Sequence, residues 1–230
     1  MIGERRSTRV QMGSGSSHDK QLVQFTVSEI LSDAQLRRRV GVLLLMSITT
    51  VVGWWSASTW IPEFAVQMTA HSGSQPGLPS SIIGLIFGLG SVVGFLALGF
   101  FADAVGRKPT IWLYYLGALV VSLCYFLFVR ERNALLVMAG ANGFFSSGQF
   151  AWMTIYLPEL FPTRVRGTAM SLVFDTSRSI VGLGPLLAGW LVTVFGGIGS
   201  AAAAMSLIYM VGLIATPFAG PETNGKLLPK

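Results

Sequence analysis

Apolar residues fill six long stretches of the chain, and polar or turn-forming residues separate these stretches. Each stretch has at least about 20 residues, the length that a helix needs to cross about 30 Å of hydrocarbon. Apolar and polar residues do not alternate with a period of two, so the strands of a membrane β-barrel are not predicted. The pattern therefore predicts six transmembrane helices, at residues 40–64, 80–102, 110–129, 133–157, 168–194 and 199–219.

Two polar tails flank the predicted membrane domain, which covers residues 39–219. In the first tail, residues 1–38, Thr26 and Glu29 have the spacing of a helix capping box. A short amphipathic helix on the membrane surface and a polar linker both remain open there. This tail has charges from Glu4 onward and no apolar core, so no cleavable signal peptide is predicted. Residues 220–230 form the second tail.

The composition supports a membrane protein. Hydrophobic residues make up 52% of the chain and charged residues 11%, against about 25% charged in a typical soluble domain. Only twelve charged residues lie between residues 40 and 219, too few to cover the surface of a water-soluble fold. We therefore predict an all-α integral membrane protein. The single cysteine, Cys124, excludes a disulfide framework.

The basic residues predict the orientation of the chain. With the first tail in the cytoplasm, thirteen of the sixteen lysines and arginines lie on the cytoplasmic side, as the positive-inside rule requires. Both termini are then cytoplasmic, and the protein is a multi-pass protein of the inner (plasma) membrane. Topology and anionic lipid account for the net charge of +6, so no nucleic-acid partner is invoked.

A polar loop after the second predicted span combines glycines with opposite charges. It reads Gly99-Phe-Phe-Ala-Asp103-Ala-Val-Gly106-Arg107-Lys108. Gly99 permits close helix approach and Gly106 a tight turn, while Asp103 can neutralise Arg107 or face a helix N-terminus. By composition alone, an ordinary positive-inside loop stays possible.

This loop resembles the signature loop of the major facilitator superfamily of secondary transporters. Residues 158–167, Pro-Glu-Leu-Phe-Pro-Thr-Arg-Val-Arg-Gly, resemble the loop after helix ten in the sugar-porter and organic-acid symporter branches. Residues 221–225, Pro-Glu-Thr-Asn-Gly, resemble the tail after helix twelve. Ala104 and Asn224 depart from the usual basic residues at their positions. Three such motifs, in order and at span boundaries, favour membership of this family.

The resemblance covers residues from about 22 to the end and implies helices seven to twelve. The fold would be one half of a major facilitator transporter, built from two inverted three-helix repeats. Its partner would be a missing N-terminal six-helix half or a second copy of the chain. The resemblance also implies a cytoplasmic gate network of ion pairs and supporting residues, namely Gly99, Asp103, Gly106, Arg107, Lys108, Glu159, Arg164, Arg166 and Glu222. Independent surface pairs, each worth about 0–1 kcal/mol, are the alternative.

Asp175 and Arg178 lie inside the fifth predicted span, about 10 Å and 15 Å from its start. An unpaired arginine near the midplane costs at least about 2.5–3.5 kcal/mol. Their spacing places both on one helix face, where they could neutralise each other. Alternatively, Arg178 binds the carboxylate of a substrate and Asp175 couples transport to protons. Both interpretations remain open.

In the family the first and fourth of these spans line the cavity, which makes their polar and aromatic residues substrate-binding candidates. We expect Trp54, Trp55, Asn142 and Gln149 to contribute, the two amides because they lie seven residues apart on one helix face. Glycines of the second span, including Gly84, Gly88, Gly90 and Gly94, are typical of helix contacts.

The predicted function is secondary transport of a small organic acid or sugar by alternating access, and the family resemblance implies that a proton gradient drives it. Partners are the small-molecule substrate and the lipid bilayer. Metal-ligand spacings and catalytic constellations are absent from the sequence, so no enzyme, metal or cofactor is predicted. The alternative is a self-associating or partner-dependent six-helix channel or scaffold that does not transport on its own.

Overall fold

The computed structural model describes residues 27–28, 30, 32–70, 79–182 and 184–226. Most of the tail predicted at residues 1–38, including most of its possible amphipathic helix, therefore lies outside the described residues. Within the described part the chain folds into helices and no strand forms, which confirms the all-helical prediction.

The chain forms nine α-helices within the described residues. They are α1 Ala34–Ala70, α2 Ser80–Val105, α3 Arg107–Leu127, α4 Arg132–Asn142, α5 Ala151–Glu159, α6 Thr163–Val181, α7 Gly184–Phe195, α8 Ile198–Ser206 and α9 Ile208–Ala215. A π-helical turn, Gly143–Ser147, follows α4, and a 3-10 turn, Thr216–Phe218, follows α9.

Among the residues that the structure describes, four helical segments are long and apolar enough to cross a membrane: Ala34–Ala70, Ser80–Val105, Arg107–Leu127 and Ile198–Phe218. The other two predicted spans are interrupted. The fourth is built from α4, the π-helical turn and α5, while the fifth is divided between α6 and α7 near Gly182. The count of six spans therefore stays a prediction.

The glycines of α2 allow close backbone contact with α4 and the π-helical turn. A Cβ added to Gly94 would lie 2.0 Å from the carbonyl oxygen of Phe144, and one added to Gly90 equally close to that of Gly140. Gly84 and Gly88, by contrast, have no atom within 4 Å of an added Cβ. Two of the four glycines thus mark a helix contact inside this domain, and the other two face an open surface.

Buried tyrosines fix α3 against its neighbours. The hydroxyls of Tyr114, Tyr115 and Tyr125 donate to the backbone oxygens of Gly94, Met46 and Ile61, at 2.8, 2.9 and 3.0 Å. These bonds satisfy phenolic groups that would otherwise be costly to bury. They attach α3 to α2 once and to α1 twice.

Candidate functional site

Arg107, the first residue of α3, binds two carboxylates. Its Nη2 and Nε lie 3.1 and 3.3 Å from the two oxygens of Glu159, at the end of α5. Its Nη1 contacts the carboxylate of Asp103, one turn earlier in α2. The bond to Glu159 is bidentate, the geometry that makes an arginine–carboxylate pair strong. Arg107 therefore joins the ends of α2, α3 and α5.

Glu222, from the tail after α9, caps the N-terminus of α3. Gly106 has a φ of 118° and no side chain, so it cannot cap the helix itself. The Glu222 carboxylate instead accepts hydrogen bonds from the backbone N–H groups of Arg107 and Lys108 at 2.8 and 3.0 Å. It also accepts from those of Thr223 and Asn224, both at 3.1 Å. Burial opposes the ionisation of Glu222, but these four bonds outweigh it and hold the pKa of the carboxyl below its ordinary value.

Four further hydrogen bonds hold the tail against the other loops. Lys108 Nζ donates to the carbonyl oxygens of Pro217 and Gly220 at 2.8 and 2.9 Å. The hydroxyl of Thr223 donates to Glu159, and the Asn224 amide donates to the backbone oxygen of Asp103 at 3.2 Å. We call Asp103, Arg107, Lys108, Glu159 and Glu222 the loop network. The structure thus brings the three predicted motifs together.

The remaining members of the predicted gate lie around the loop network. Gly106 forms the turn described above, and an added Cβ there would lie 3.3 Å from Glu222 Oε2. Gly99 lies in α2, where an added Cβ would meet the side chain of Ile155 at 3.9 Å. Arg164 and Arg166 belong to the first turn of α6, and Arg166 Nε donates to the carbonyl oxygen of Phe161 at 3.3 Å.

A groove of about 790 Å³ lies on the face formed by α1, α2, the π-helical turn and α6. Trp54 and Arg178, both predicted to bind substrate, line it together with the aromatic rings of Phe87, Phe95, Phe150 and Phe174. Three serines also line it: Ser58, Ser91 and Ser147. The volume falls within the range of about 300–1,000 Å³ that is typical of small-molecule sites.

The other predicted substrate residues lie away from this groove lining. Trp55 packs its ring edge-on against Trp60, with centroids 6.5 Å apart. Asn142 and Gln149 are fully buried. Asn142 accepts a hydrogen bond from Ser122 Oγ at 2.9 Å, and Gln149 donates to the carbonyl oxygen of Ser146 at 3.1 Å.

A π-helical turn separates Asn142 from Gln149. Seven residues return to the same face of a regular α-helix. Gly143–Ser147 lies between the two amides, and a π turn holds more residues than an α turn, so positions seven apart no longer share a face. Nothing in the apolar pattern of residues 133–157 signals this interruption.

Asp175 and Arg178 both lie on α6 with exposed side chains. The spacing permits an ion pair, yet no ion pair joins Asp175 and Arg178 in the described part of the structure. Mutual neutralisation therefore does not account for Arg178. Arg178 lines the groove instead.

Sequence patterns do not identify most of the residues that line the groove. Four of its lining residues are phenylalanines within apolar spans: Phe87, Phe95, Phe150 and Phe174. In such spans the sequence pattern is the same for a ring that lines a groove and a ring that faces lipid. Ser91 donates to Ser147 Oγ at 2.8 Å, a contact across 56 residues that no local pattern reveals. Only the charge of Arg178 and the amphipathic indole of Trp54 distinguished their positions.

The profile of a family described as Major Facilitator Superfamily matches residues 43–229. The chain belongs to the major facilitator superfamily. A protein of Haemophilus influenzae named for metabolite transport is 29% identical over 189 residues, 82% of this chain and 45% of that protein. The proline/betaine transporter of Escherichia coli strain K12 is 27% identical over 177 residues, 73% of this chain and 33% of that one.

The crystal structure of the Escherichia coli fucose:proton symporter shares the fold of this major facilitator chain. Its TM-score is 0.62 at 14% sequence identity, and the match covers 85% of this chain and 45% of the symporter. The chain spans about half of the length of the Haemophilus influenzae protein and of this symporter.

Membership of the major facilitator superfamily confirms the predicted family. The matched relatives are named as transporters, not enzymes, in agreement with the prediction that the chain is not an enzyme. Family and apolar helices together identify a multi-pass protein of the inner membrane. Transporters of this family bind small molecules within the membrane.

Proposed function

We propose that this chain is the C-terminal six-helix half of a secondary active transporter for a small organic acid or sugar. The half would comprise two inverted three-helix repeats, with both termini in the cytoplasm. The observation that carries the proposal is the groove, because it places an exposed arginine and a tryptophan on one open face of a major facilitator fold. In alternating access, the second wall of the path comes from an N-terminal half or a second copy.

The loop network supports a gate on the cytoplasmic side. Opening that side requires α2, α3, α5 and the C-terminal tail to separate, and the bonds of Arg107 and Glu222 join these segments. They therefore stabilise the closed arrangement and break when the transporter turns inward. Asp175, exposed on the same helix as Arg178, is the proposed proton-coupling residue.

Uptake is measured in membrane vesicles from cells that produce the chain, alone and together with an N-terminal six-helix half, which tests the proposal for both sources of the second wall. Vesicles with the protein should accumulate at least one organic acid or sugar above vesicles without it, and an imposed proton gradient should raise this uptake. Asp175→Asn should remove the response to the gradient but leave exchange of the same substrate. Uptake equal to that of empty vesicles for every acid and sugar tested would refute the proposal.

Charge reversal tests the gate separately. Arg107→Glu and Glu159→Arg should each reduce uptake, and the double variant should recover part of it because the ion pair is restored with opposite polarity. Arg130→Glu is the matched control, since Arg130 donates to the carbonyl oxygens of Leu127 and Val129 at the other end of α3. Equal effects at Arg107 and Arg130 would contradict the gate.

A further inference from the structure

We infer that the groove binds a monocarboxylate with a planar apolar body, and not a sugar. This inference rests on the proposed function, because it takes the groove as the wall of the transport path. The polar groups of the lining that can still bind a ligand restrict the substrate to one chemical class.

The hydroxyl groups of the groove are already engaged within the protein. Ser58 Oγ donates to the carbonyl oxygen of Trp55 at 3.1 Å. Ser91 Oγ lies 2.8 Å from both the carbonyl oxygen of Phe87 and the hydroxyl of Ser147. These serines have used their hydroxyl hydrogens, so the groove offers few donors to the hydroxyl oxygens of a sugar, and those oxygens would be costly to bury.

Arg178 is the charged group that remains available in the groove. It is the charged residue among those that line the groove, its side chain is exposed, and it has no hydrogen-bond or ion-pair partner among the described residues. An unpaired guanidinium within the membrane is unfavourable in free energy, and a carboxylate bound through two hydrogen bonds offsets that cost. One arginine without a second cation nearby in the lining matches a single carboxylate and not a dianion.

The rest of the lining matches a flat apolar body. Trp54 and Phe150 meet edge to face with centroids 5.6 Å apart, and Phe87, Phe95 and Phe174 extend the apolar wall. Aromatic faces of this kind stack against a planar ring or a conjugated chain. The groove therefore combines one anion contact with an aromatic surface, which is the complement of a compound such as benzoate.

Binding of radiolabelled benzoate to the purified full chain in lipid nanodiscs tests the inference. Benzoate should bind, unlabelled cyclohexanecarboxylate should compete more weakly, and benzamide and glucose should not compete. Arg178→Gln should weaken benzoate binding by about 10- to 150-fold, the loss expected for a charged hydrogen bond of about 1.5–3 kcal/mol. Arg178→Lys keeps the charge but loses the bidentate geometry, so its affinity should lie between the two.

Matched controls separate a lost contact from a lost fold. Arg130→Gln makes the same change of charge outside the groove and should leave benzoate binding unchanged. Competition by benzamide uses the unmodified chain, so it decides the role of the charge even if Arg178→Gln does not fold. Absence of benzoate binding to the unmodified chain, equal competition by benzamide, or competition by glucose would overturn the inference.

The vesicle assay distinguishes this inference from the proposed function. Benzoate binding without uptake of any compound would overturn the proposed function and support the carboxylate site. Proton-driven uptake of glucose, with no benzoate binding, would overturn the carboxylate site and support the proposed function.

Discussion

Arg107 binds two carboxylates that differ in exposure, and this difference predicts which bond stabilises the protein. The side chain of Arg107 is 12% exposed, that of Glu159 is 18% exposed and that of Asp103 is 74% exposed. Glu159 makes two hydrogen bonds to the guanidinium at 3.1 and 3.3 Å. Asp103 is a neighbour one turn away on an open surface.

These values predict unequal losses for two matched variants. Glu159→Gln removes the buried countercharge of a largely buried guanidinium, keeps only the exposed Asp103, and should destabilise the protein by about 2–3 kcal/mol. Asp103→Asn removes a bond that water and salt screen, and should cost about 0.2–0.5 kcal/mol. The coupling energy between Arg107 and Glu159 from a double-mutant cycle should be about 1–2 kcal/mol.

The measurement is reversible unfolding of the purified chain in mixed micelles, followed by far-UV circular dichroism as SDS is added. Raising the ionic strength to about 1 M should remove most of the Asp103 contribution but keep most of that of Glu159. Equal costs for Asp103→Asn and Glu159→Gln, or a coupling energy below about 0.5 kcal/mol, would show that burial does not decide the strength of this network.

Three further predictions follow from the described contacts. Glu222→Gln should make the free energy of unfolding depend less on pH at acid pH. The ionised carboxylate stabilises the fold above its unfolded pKa of about 4.3, and this stabilisation disappears as pH falls through the lower folded pKa. Unfolding measured between about pH 3 and 7 tests this. Gly94→Ala should cost about 1–3 kcal/mol in the same unfolding assay, because its Cβ would lie 2.0 Å from the carbonyl oxygen of Phe144. Ser58→Cys, in a Cys124→Ser background, should react with a water-soluble thiosulfonate because Ser58 lines the open groove.

Each of these predictions has its control within the chain. Thr223→Ser keeps the Glu222 carboxylate and should retain the acid-side slope. Gly41→Ala has open space around its Cβ and should be neutral or slightly stabilising in a helix. Ala139→Cys is fully buried and should not react. A Gly94→Ala protein as stable as Gly41→Ala, or equal labelling at positions 58 and 139, would contradict the packing described here.

The loop network could be predicted from the sequence because charges are rare in this chain, so each charged loop residue carries information. Asp103, Arg107, Glu159 and Glu222 all come together in the structure. The backbone role of Glu222 could not be predicted, because motif spacing does not show that its carboxylate binds N–H groups in place of an arginine.

The groove was harder to predict, for reasons that lie in the helices. Hydrophobic periodicity locates a span but assumes a regular helix within it, and the π-helical turn at Gly143–Ser147 breaks that assumption for Asn142 and Gln149. Phenylalanines in a membrane span look alike whether they face lipid, core or groove. Arg178 could be identified from the sequence because a charged side chain at that depth in the membrane is costly and is typical of a functional or pairing role.

The cap on α3 has a consequence for the synthesis of the protein. Glu222 lies 115 residues after Arg107, so the ribosome makes α3 long before it makes the residue that completes the first turn of that helix. At about 5–20 residues per second, the interval is about 6–23 s. During this time the two leading N–H groups of α3 rely on water or lipid headgroups, and the bundle closes on its loop side when the tail emerges. A segment made late thus caps a helix that was inserted much earlier.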